Sequence, residues 1–319
     1  MNVVISVNQK EIFRIPIVNI EGIVTFGYMG ASPGLLKLCA DYNVSLSFLS
    51  PQGKFIGRFH GPIKGNVLLR TKQWESAKDS QFSLSVSKLF IAGKIQNYRN
   101  ILSRFIRDNG DNDVVRDVVS HLKYCKQKAL ISSDLDYLRG VEGDAANRYF
   151  EVFPYLILHQ KSDFVFTGRN RRPPRDAVNA MLSFVYTLIA SDMSAALETV
   201  GLDPYIGFLH TLRPGRASLA LDMMEELRAY LGDRLVLSLI NRKQLSIKDF
   251  IQHGEDSVVM TDNARKIILT AWQNRKKETI MHPYLGEKVP IGLLPYTQAM
   301  LFARFIRGDL DNYPVFLIS

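Results

Sequence analysis

QWESAKDSQFSLSVSKLFIAGKIQNYRNILSRFIR (73–107) is where this 319-residue chain changes its pattern. Phe82, Val86, Leu89, Phe90, Ile101, Leu102 and Phe105 recur at spacings of three, four and their multiples, which predicts one long helix or two joined helices. Before it the signals are those of strands. Val3, Ile5 and Val7 alternate, the run Ile12 to Pro16 is short and ends in proline, and Ile20 to Phe26 is rich in β-branched residues. Ser32-Pro33-Gly34 reads as an N-cap with proline in the first turn of a helix ending near Tyr42. Val44, Leu46 and Phe48 then alternate up to Pro51-Gln52-Gly53, and Lys54 to Phe59 reads as the second strand of a hairpin.

Beyond Arg107, Asn109-Gly110-Asp111-Asn112 interrupts, and helices are predicted at about 113–127, 133–153, 174–200, 218–231, 246–253, 262–279 and 293–307. The apolar residues Tyr313 to Leu317 are expected to pack back onto the protein. The fold class is therefore α+β: a small N-terminal β-rich domain over 1–70, followed by a larger α-helical domain over 71–319.

Lys and Arg number 40 against 31 acids, a net charge of +9 that points to an anionic partner, nucleic acid or anionic membrane. The longest mostly apolar stretch, Met181 to Ala190, is shorter than the ~20 residues of a membrane span and is closed by Ser191-Asp192, so it reads as a buried helix. The N-terminus has no export signal pattern, and cytoplasm is the default. Cys39 and Cys125 support neither a zinc cluster nor a disulfide framework and are expected to be packed, reduced thiols.

Three separated stretches can pool a histidine and several carboxylates: Gly140 to Gly143 with Glu142, Gly207 to His210, and Ser218 to Glu226. At ~100° per residue, Asp222, Glu225 and Glu226 share one acidic helix face. Ala220, Met223, Met224 and Leu227 lie opposite, so an ordinary amphipathic helix with solvated carboxylates is the competing reading. An imidazole with two or three carboxylates makes a hard shell suited to Mg²⁺ or Mn²⁺. Such a cation eases deprotonation of water or a 3′-hydroxyl and offsets charge on a phosphoryl group. The two glycines beside Glu142 each cost a helix roughly 1 kcal/mol, which asks for a reason such as close approach of another segment.

The stretch Lys161 to Asp176 carries Arg169, Arg171, Arg172 and Arg175 beside Pro173-Pro174, with Phe164 or Phe166 available to stack on a base. Arg213 and Arg216 extend that positive surface next to His210. The basic side of 264–277 reads as a solvated helix face.

GVEGDAANRYF (140–150), RNRRPPRD (169–176), NAMLSFVY (179–186), GFLHT (207–211) and SLALDMMEE (218–226), in this order, resemble the CRISPR-associated adaptation integrase family, often called CRISPR-associated endonuclease one. NIEGIVTFG (19–27) and, more weakly, HPYLGEKVP (282–290) extend the resemblance over most of the chain. It implies a metal-dependent enzyme that joins the 3′-hydroxyl ends of a captured DNA fragment to a CRISPR repeat by transesterification and also cuts DNA. The family's metal ligands fall on Glu142, His210 and Glu225, with Asp222 as a further acidic position, and Tyr186 is grouped with the DNA-contacting arginines. The resemblance also implies homodimers formed through the β domains and a small ferredoxin-like companion protein that bridges two dimers. Relatives often carry another strand or two ahead of the stretch matching Asn2 to Val7. The rival readings are a non-catalytic DNA-binding scaffold and, more distantly, a di-iron oxidase, for which paired Glu-x-x-His helices are missing.

Overall fold

The computed structural model describes all residues except 21, 28, 43, 51–54, 60, 62–66, 171–172, 255–256 and 319. The chain divides into two units, Met1–Asn66 and Val67–Ser319, four residues ahead of the boundary expected at residue 70.

In the first unit, β1 (Asn2–Val7) and β2 (Lys10–Pro16) form an antiparallel hairpin, turned by Asn8 and Gln9 at φ of 50° and 65°. Then β3 (Gly22–Phe26) runs parallel to β4 (Ser45–Leu49), with α1 (Pro33–Asp41) as the crossover between them. The Ser32 side chain accepts from the Leu35 amide, so the predicted cap starts α1 as expected. The second strand of the predicted hairpin is β5 (Phe55–Phe59), antiparallel to β4; its turn, Pro51 to Gly53, lies outside the described residues. Val3, Ile17, Cys39, Val44 and Leu46 make the core of this unit.

The second unit opens with α2 (Val67–Lys78) and α3 (Ser80–Asn109). Two joined helices result because Asp79 accepts from the amides of Gln81 and Phe82, capping α3 where α2 stops. Gly110, at φ 93°, ends α3, and Asn112 caps α4 (Asp113–Leu130). Asp134 and Asp176 cap α5 (Leu135–Glu151) and α6 (Ala177–Val200) in the same way. The helix expected over 174–200 is α6, which starts at Ala177 and runs through Ser191-Asp192 to Val200. By length and composition α6 is apolar enough to cross a membrane, but 67% of its most apolar window is buried inside the protein, as a core helix requires.

Next come α7 (Ser218–Leu227), a π-helical segment Arg228–Asp233, and α8 (Arg234–Asn241). The helix predicted to stop at 231 therefore continues by ten residues. Gly232, in the π-helical segment, is a contact point, since a Cβ there would stand 2.7 Å from Tyr186 Cε1. The helix predicted over 246–253 is also corrected. Ser246 and Asp249 do form a capping box, but after one turn β6 (Phe250–Gln252) pairs antiparallel with β7 (Val258–Met260). Finally α9 (Asp262–Lys277), the hairpin β8 (Thr279–Met281) and β9 (Lys288–Pro290), and α10 (Leu294–Arg307) complete the unit.

The buried spine of this unit is α3, which packs against α4, α5 and α7, while α6 packs against α7 and α10. The C-terminal segment folds back as expected: Tyr313 and Phe316 are buried, and Gly93 on α3 gives Val315 the room a Cβ would take. Both cysteines are free and buried, and burial together with the Asp144 carboxylate pushes the Cys125 thiol up to about 12.

Candidate active site

Three helices and one loop bring the predicted acids and histidine together. Lys94, 2% exposed on α3, is the centre of the arrangement. Its ammonium pairs with Glu142 Oε1 from α5 and lies 2.8 Å from Glu225 Oε2 from α7. Glu225 Oε2 is buried and has no hydrogen-bond partner apart from this ion pair. Arg228, one turn along from Glu225, holds the other oxygen at 3.0 Å. Burial opposes ionisation of Glu225, yet the Arg228 and Lys94 charges outweigh it and hold the carboxyl down at about 2.

His210 sits on the loop between α6 and α7, and its orientation is imposed by Asp222. That carboxylate is fully buried and accepts the amides of Phe208 at 2.7 Å, Leu209 at 3.0 Å and His210 at 3.0 Å. It also takes His210 Nδ1 at 2.5 Å, which leaves Nε2 as the ring's remaining nitrogen. The loop can approach this closely because residue 207 is glycine: a Cβ would stand 2.7 Å from Asp222 Oδ2. From α5, Arg139 pins the same loop by donating to the Leu209 carbonyl at 2.7 Å.

The single acidic face expected on α7 is not present, because the helix is buried all round and its carboxylates go to separate partners. Glu226 turns to the C-terminal segment, accepting from Gln298 Nε2 at 3.0 Å, the Phe316 amide at 2.6 Å and the Tyr313 hydroxyl. It is a packing residue, and between the two adjacent glutamates it is Glu225 that faces Glu142. Glycines 140 and 143 have nothing within 4 Å of a built Cβ, so among the described residues no segment crosses them and the surface beside Glu142 is open.

The donor set fits a hard divalent cation. Two carboxylates meet at Lys94, so a cationic group already stands between them, one buried carboxylate oxygen lacks a hydrogen bond, and Asp222 orients the imidazole of His210. The ligand atoms of Glu142, His210 and Glu225 stand wider than 4.8 Å as a set. Lys94 and Arg228 escaped sequence reasoning. The available signal was a lysine within the apolar run Ile91 to Ile95, since lysine is rarely buried unless paired.

The proposed DNA surface is altered more. Phe164 and Phe166 are buried; Phe166 packs on Phe150 and Phe153, and Phe164 on Phe250, so neither is free to stack on a base. Tyr186 is likewise corrected. Its ring is buried beneath the Arg169 and Arg228 guanidiniums and its hydroxyl donates to Asp233 at 2.5 Å, so it belongs to the buried polar network rather than to a DNA-facing surface. Asp233 also accepts from Tyr149 at 3.1 Å, and burial pushes its carboxyl up to about 6 against those two hydroxyls. Arg169 is part-buried and bonds Asn179 Oδ1 at 2.7 Å and Ser183 Oγ at 3.1 Å, which ties it to α6. Arg171 and Arg172 lie outside the described residues. Arg175 and Arg213 are exposed and Arg216 is half-buried. On α9, Arg265 pairs with Asp262, Arg275 lies over the Tyr230 ring, and Lys276 pairs with Asp192 at 3.0 Å, so that face is less solvated than expected.

The family model for CRISPR associated protein Cas1 matches residues 1–274. The chain is 48% identical to "CRISPR-associated endonuclease Cas1 1" of Chlorobaculum tepidum, covering 99% of this chain and 93% of the relative. It is 46% identical to "CRISPR-associated endonuclease Cas1 2" of Rhodospirillum rubrum, over 98% and 92% of the two chains. Among solved structures, a Cas1 protein from Thermotoga maritima superposes with a TM-score of 0.83 at 22% identity, over 100% of this chain and 94% of that one. A casposase bound to integration product gives 0.82 at 22% identity, over 98% and 86%. At those identities the structures speak for the fold, and the α+β architecture matches them. With the family model spanning most of the chain and relatives at nearly half identity along its length, the chain belongs to the CRISPR-associated Cas1 family.

Proposed function

We infer that the chain is a metal-dependent DNA integrase and endonuclease that inserts captured DNA fragments into a CRISPR repeat array by 3′-hydroxyl transesterification. The observation that carries this reading is the meeting of the part-exposed Glu142 and the buried Glu225 at the Lys94 ammonium, with His210 oriented by Asp222. Glu142, His210 and Glu225 would hold Mg²⁺ or Mn²⁺, with Asp222 behind them as the group that fixes the imidazole. When bound, the cation supplies Lewis acidity for in-line displacement at a phosphodiester. The chain's own residues do the rest. Asp222 keeps His210 Nδ1 engaged and presents Nε2. Arg228 holds one Glu225 oxygen and keeps the carboxylate ionised. The open surface along glycines 140 and 143 leaves space for a DNA backbone beside Glu142, and Arg171, Arg172, Arg175, Arg213 and Arg216 supply phosphate contacts.

The same reading has the chain working in the cytoplasm as a homodimer joined through the β-rich unit, on double-stranded and branched DNA, with a small ferredoxin-like companion bridging two dimers. It is supported by the exposed apolar side chains of the first hairpin, Ile5, Val7, Ile12 and Phe13. One solved neighbour is a Cas6-RT-Cas1 protein in complex with Cas2, of which the matching part covers 34%. The scaffold reading has one observation in its favour: Lys94 already neutralises both glutamates, as a permanent structural ion pair would.

The two are separated by assaying the full chain with the companion, labelled DNA bearing a free 3′-hydroxyl, and a supercoiled repeat plasmid. Joining should require Mn²⁺ or Mg²⁺ and disappear in Glu142→Ala, His210→Ala and Glu225→Ala. Joining that persists in chelator would favour a different mechanism, and DNA binding without joining would favour the scaffold.

A further inference from the structure

Away from that site, the described residues hold a second set of metal-ligating side chains. His121 and Cys125 lie four residues apart on α4, one helical turn, and Asp144 meets both from α5. Asp144 Oδ2 stands 2.8 Å from His121 Nε2 and accepts from Cys125 Sγ at 3.3 Å. Nitrogen, sulfur and oxygen donors thus lie within 4.8 Å of one another. We propose that His121, Cys125 and Asp144 form a binding site for a borderline divalent cation of the zinc class.

The donor set selects the metal. Thiolate and imidazole suit Zn²⁺ or Co²⁺, and disfavour the Mg²⁺ or Mn²⁺ proposed for the all-nitrogen-and-oxygen shell. The dimensions are close to what is needed. With Zn–N and Zn–O near 2.0 Å and Zn–S near 2.3 Å, tetrahedral angles put N and O about 3.3 Å apart and S and O about 3.5 Å apart. The cluster must therefore open by roughly half an ångström on one edge and a quarter on the other, within the reach of rotamer adjustment in Asp144, whose side chain is 52% exposed. Entry is from that solvent side, past Asp144 and the part-exposed His121, while Cys125 forms the buried floor. On binding, the Cys125 S–H proton leaves to solvent as the S–metal bond forms; the proton that His121 Nε2 donates to Asp144 in the empty site moves by way of solvent to Nδ1, which frees the Nε2 lone pair for the metal, and Asp144 binds as the carboxylate. Solvent completes the shell.

The nearest opposing charges do not fill the site. Lys128 lies over the Tyr124 ring at 4.4 Å, and Arg148 is paired with Glu151 at 3.1 Å. An occupied site would staple α4 to α5 two residues from Glu142, which makes its state relevant to how that glutamate is held.

The test uses the full chain, stripped with chelator and titrated with Co²⁺ alone. One equivalent should produce a near-ultraviolet thiolate-to-cobalt absorption band that Zn²⁺ bleaches. The band should be lost in Cys125→Ser and persist in Cys39→Ser and in Glu142→Gln, which separates this site from the one proposed for catalysis. Asp144→Asn, at an exposed position that leaves folding intact, should weaken Co²⁺ binding at least about tenfold. The proposal is overturned if the wild-type chain gives no band, if the band survives Cys125→Ser, or if Asp144→Asn binds Co²⁺ as tightly as wild type.

Discussion

Replacing Lys94 by methionine removes the cation that stands between Glu142 and Glu225 while keeping most of the side-chain volume. Two carboxylates, Glu142 and Glu225, then lose the cation they share, and Arg228 still pairs with Glu225. Because Lys94 and Glu225 are 2% and 4% exposed, the pair is in the buried regime, where deleting one partner costs about 3–5 kcal/mol. For a unit of this size each kcal/mol moves the melting midpoint by about 2–4 °C, so Lys94→Met in chelator should melt roughly 6–20 °C below wild type. A divalent cation that binds the same carboxylates should reverse much of this. At Mn²⁺ one hundred times its dissociation constant the recovery is about 2.7 kcal/mol. In wild type the lysine competes for the same oxygens, so the Mn²⁺ gain there should be smaller. Thermal melts of both proteins with and without Mn²⁺ read this directly. The reasoning is refuted if Mn²⁺ raises the Lys94→Met midpoint no more than that of wild type, or if the gain survives Glu225→Gln in the same background.

Further outcomes are expected elsewhere. Gly207→Ala drives a methyl group against Asp222 Oδ2 and should destabilise by about 1–3 kcal/mol while abolishing DNA joining, measured by melting and by product on a gel. Gly140→Ala with Gly143→Ala meets open space, so each should stabilise the free protein by roughly 1 kcal/mol while weakening DNA binding if the backbone passes there. Burial pushes Glu226 up to about 7 from 4.5, so the folded protein holds a proton that the unfolded chain releases in between. Stability is therefore full below pH 4.5 and falls as pH rises through 7, by on the order of 3 kcal/mol; Glu226→Gln should flatten that fall in urea titrations at stepped pH. Removing Arg175, Arg213 and Arg216 together should reduce the slope of log affinity against log salt by about 0.9 for each duplex phosphate that is no longer neutralised.

Much of the architecture is written in local patterns. The caps Ser32, Asp79, Asn112 and Asp176 are side chains that satisfy the amides next to them, so the helix starts they mark need no knowledge of the rest of the fold. The errors have the opposite origin. Past the expected stop at 231 the chain stays helical with Gly232 in contact with Tyr186 from α6, a non-local use, and the helix expected over 246–253 gives way after Asp249 because the chain there is claimed by β7. At the candidate site the same division holds. Glu142, His210 and Glu225 are legible through motif order, whereas Lys94 and Arg228 carry no motif and declare themselves only when α3 and α7 are packed together. Phe164 and Phe166 look like DNA contacts in a basic stretch, and Tyr186 is grouped with the DNA-contacting arginines, yet all three are buried on partners from other elements. His121 and Cys125 are a one-turn pair on one helix, but the third donor, Asp144, comes from the next.

Everything proposed for the catalytic site turns on Glu225, and not its neighbour Glu226, serving the chemistry together with Glu142 and His210. The most direct measurement is Mn²⁺-dependent joining of a labelled 3′-hydroxyl strand by Glu225→Gln and Glu226→Gln, each assayed below its own melting transition. Glu225→Gln should fall below about one hundredth of wild type while Glu226→Gln keeps most of its rate and loses stability instead. Full joining by Glu225→Gln, or loss of joining in a folded Glu226→Gln, would contradict the account.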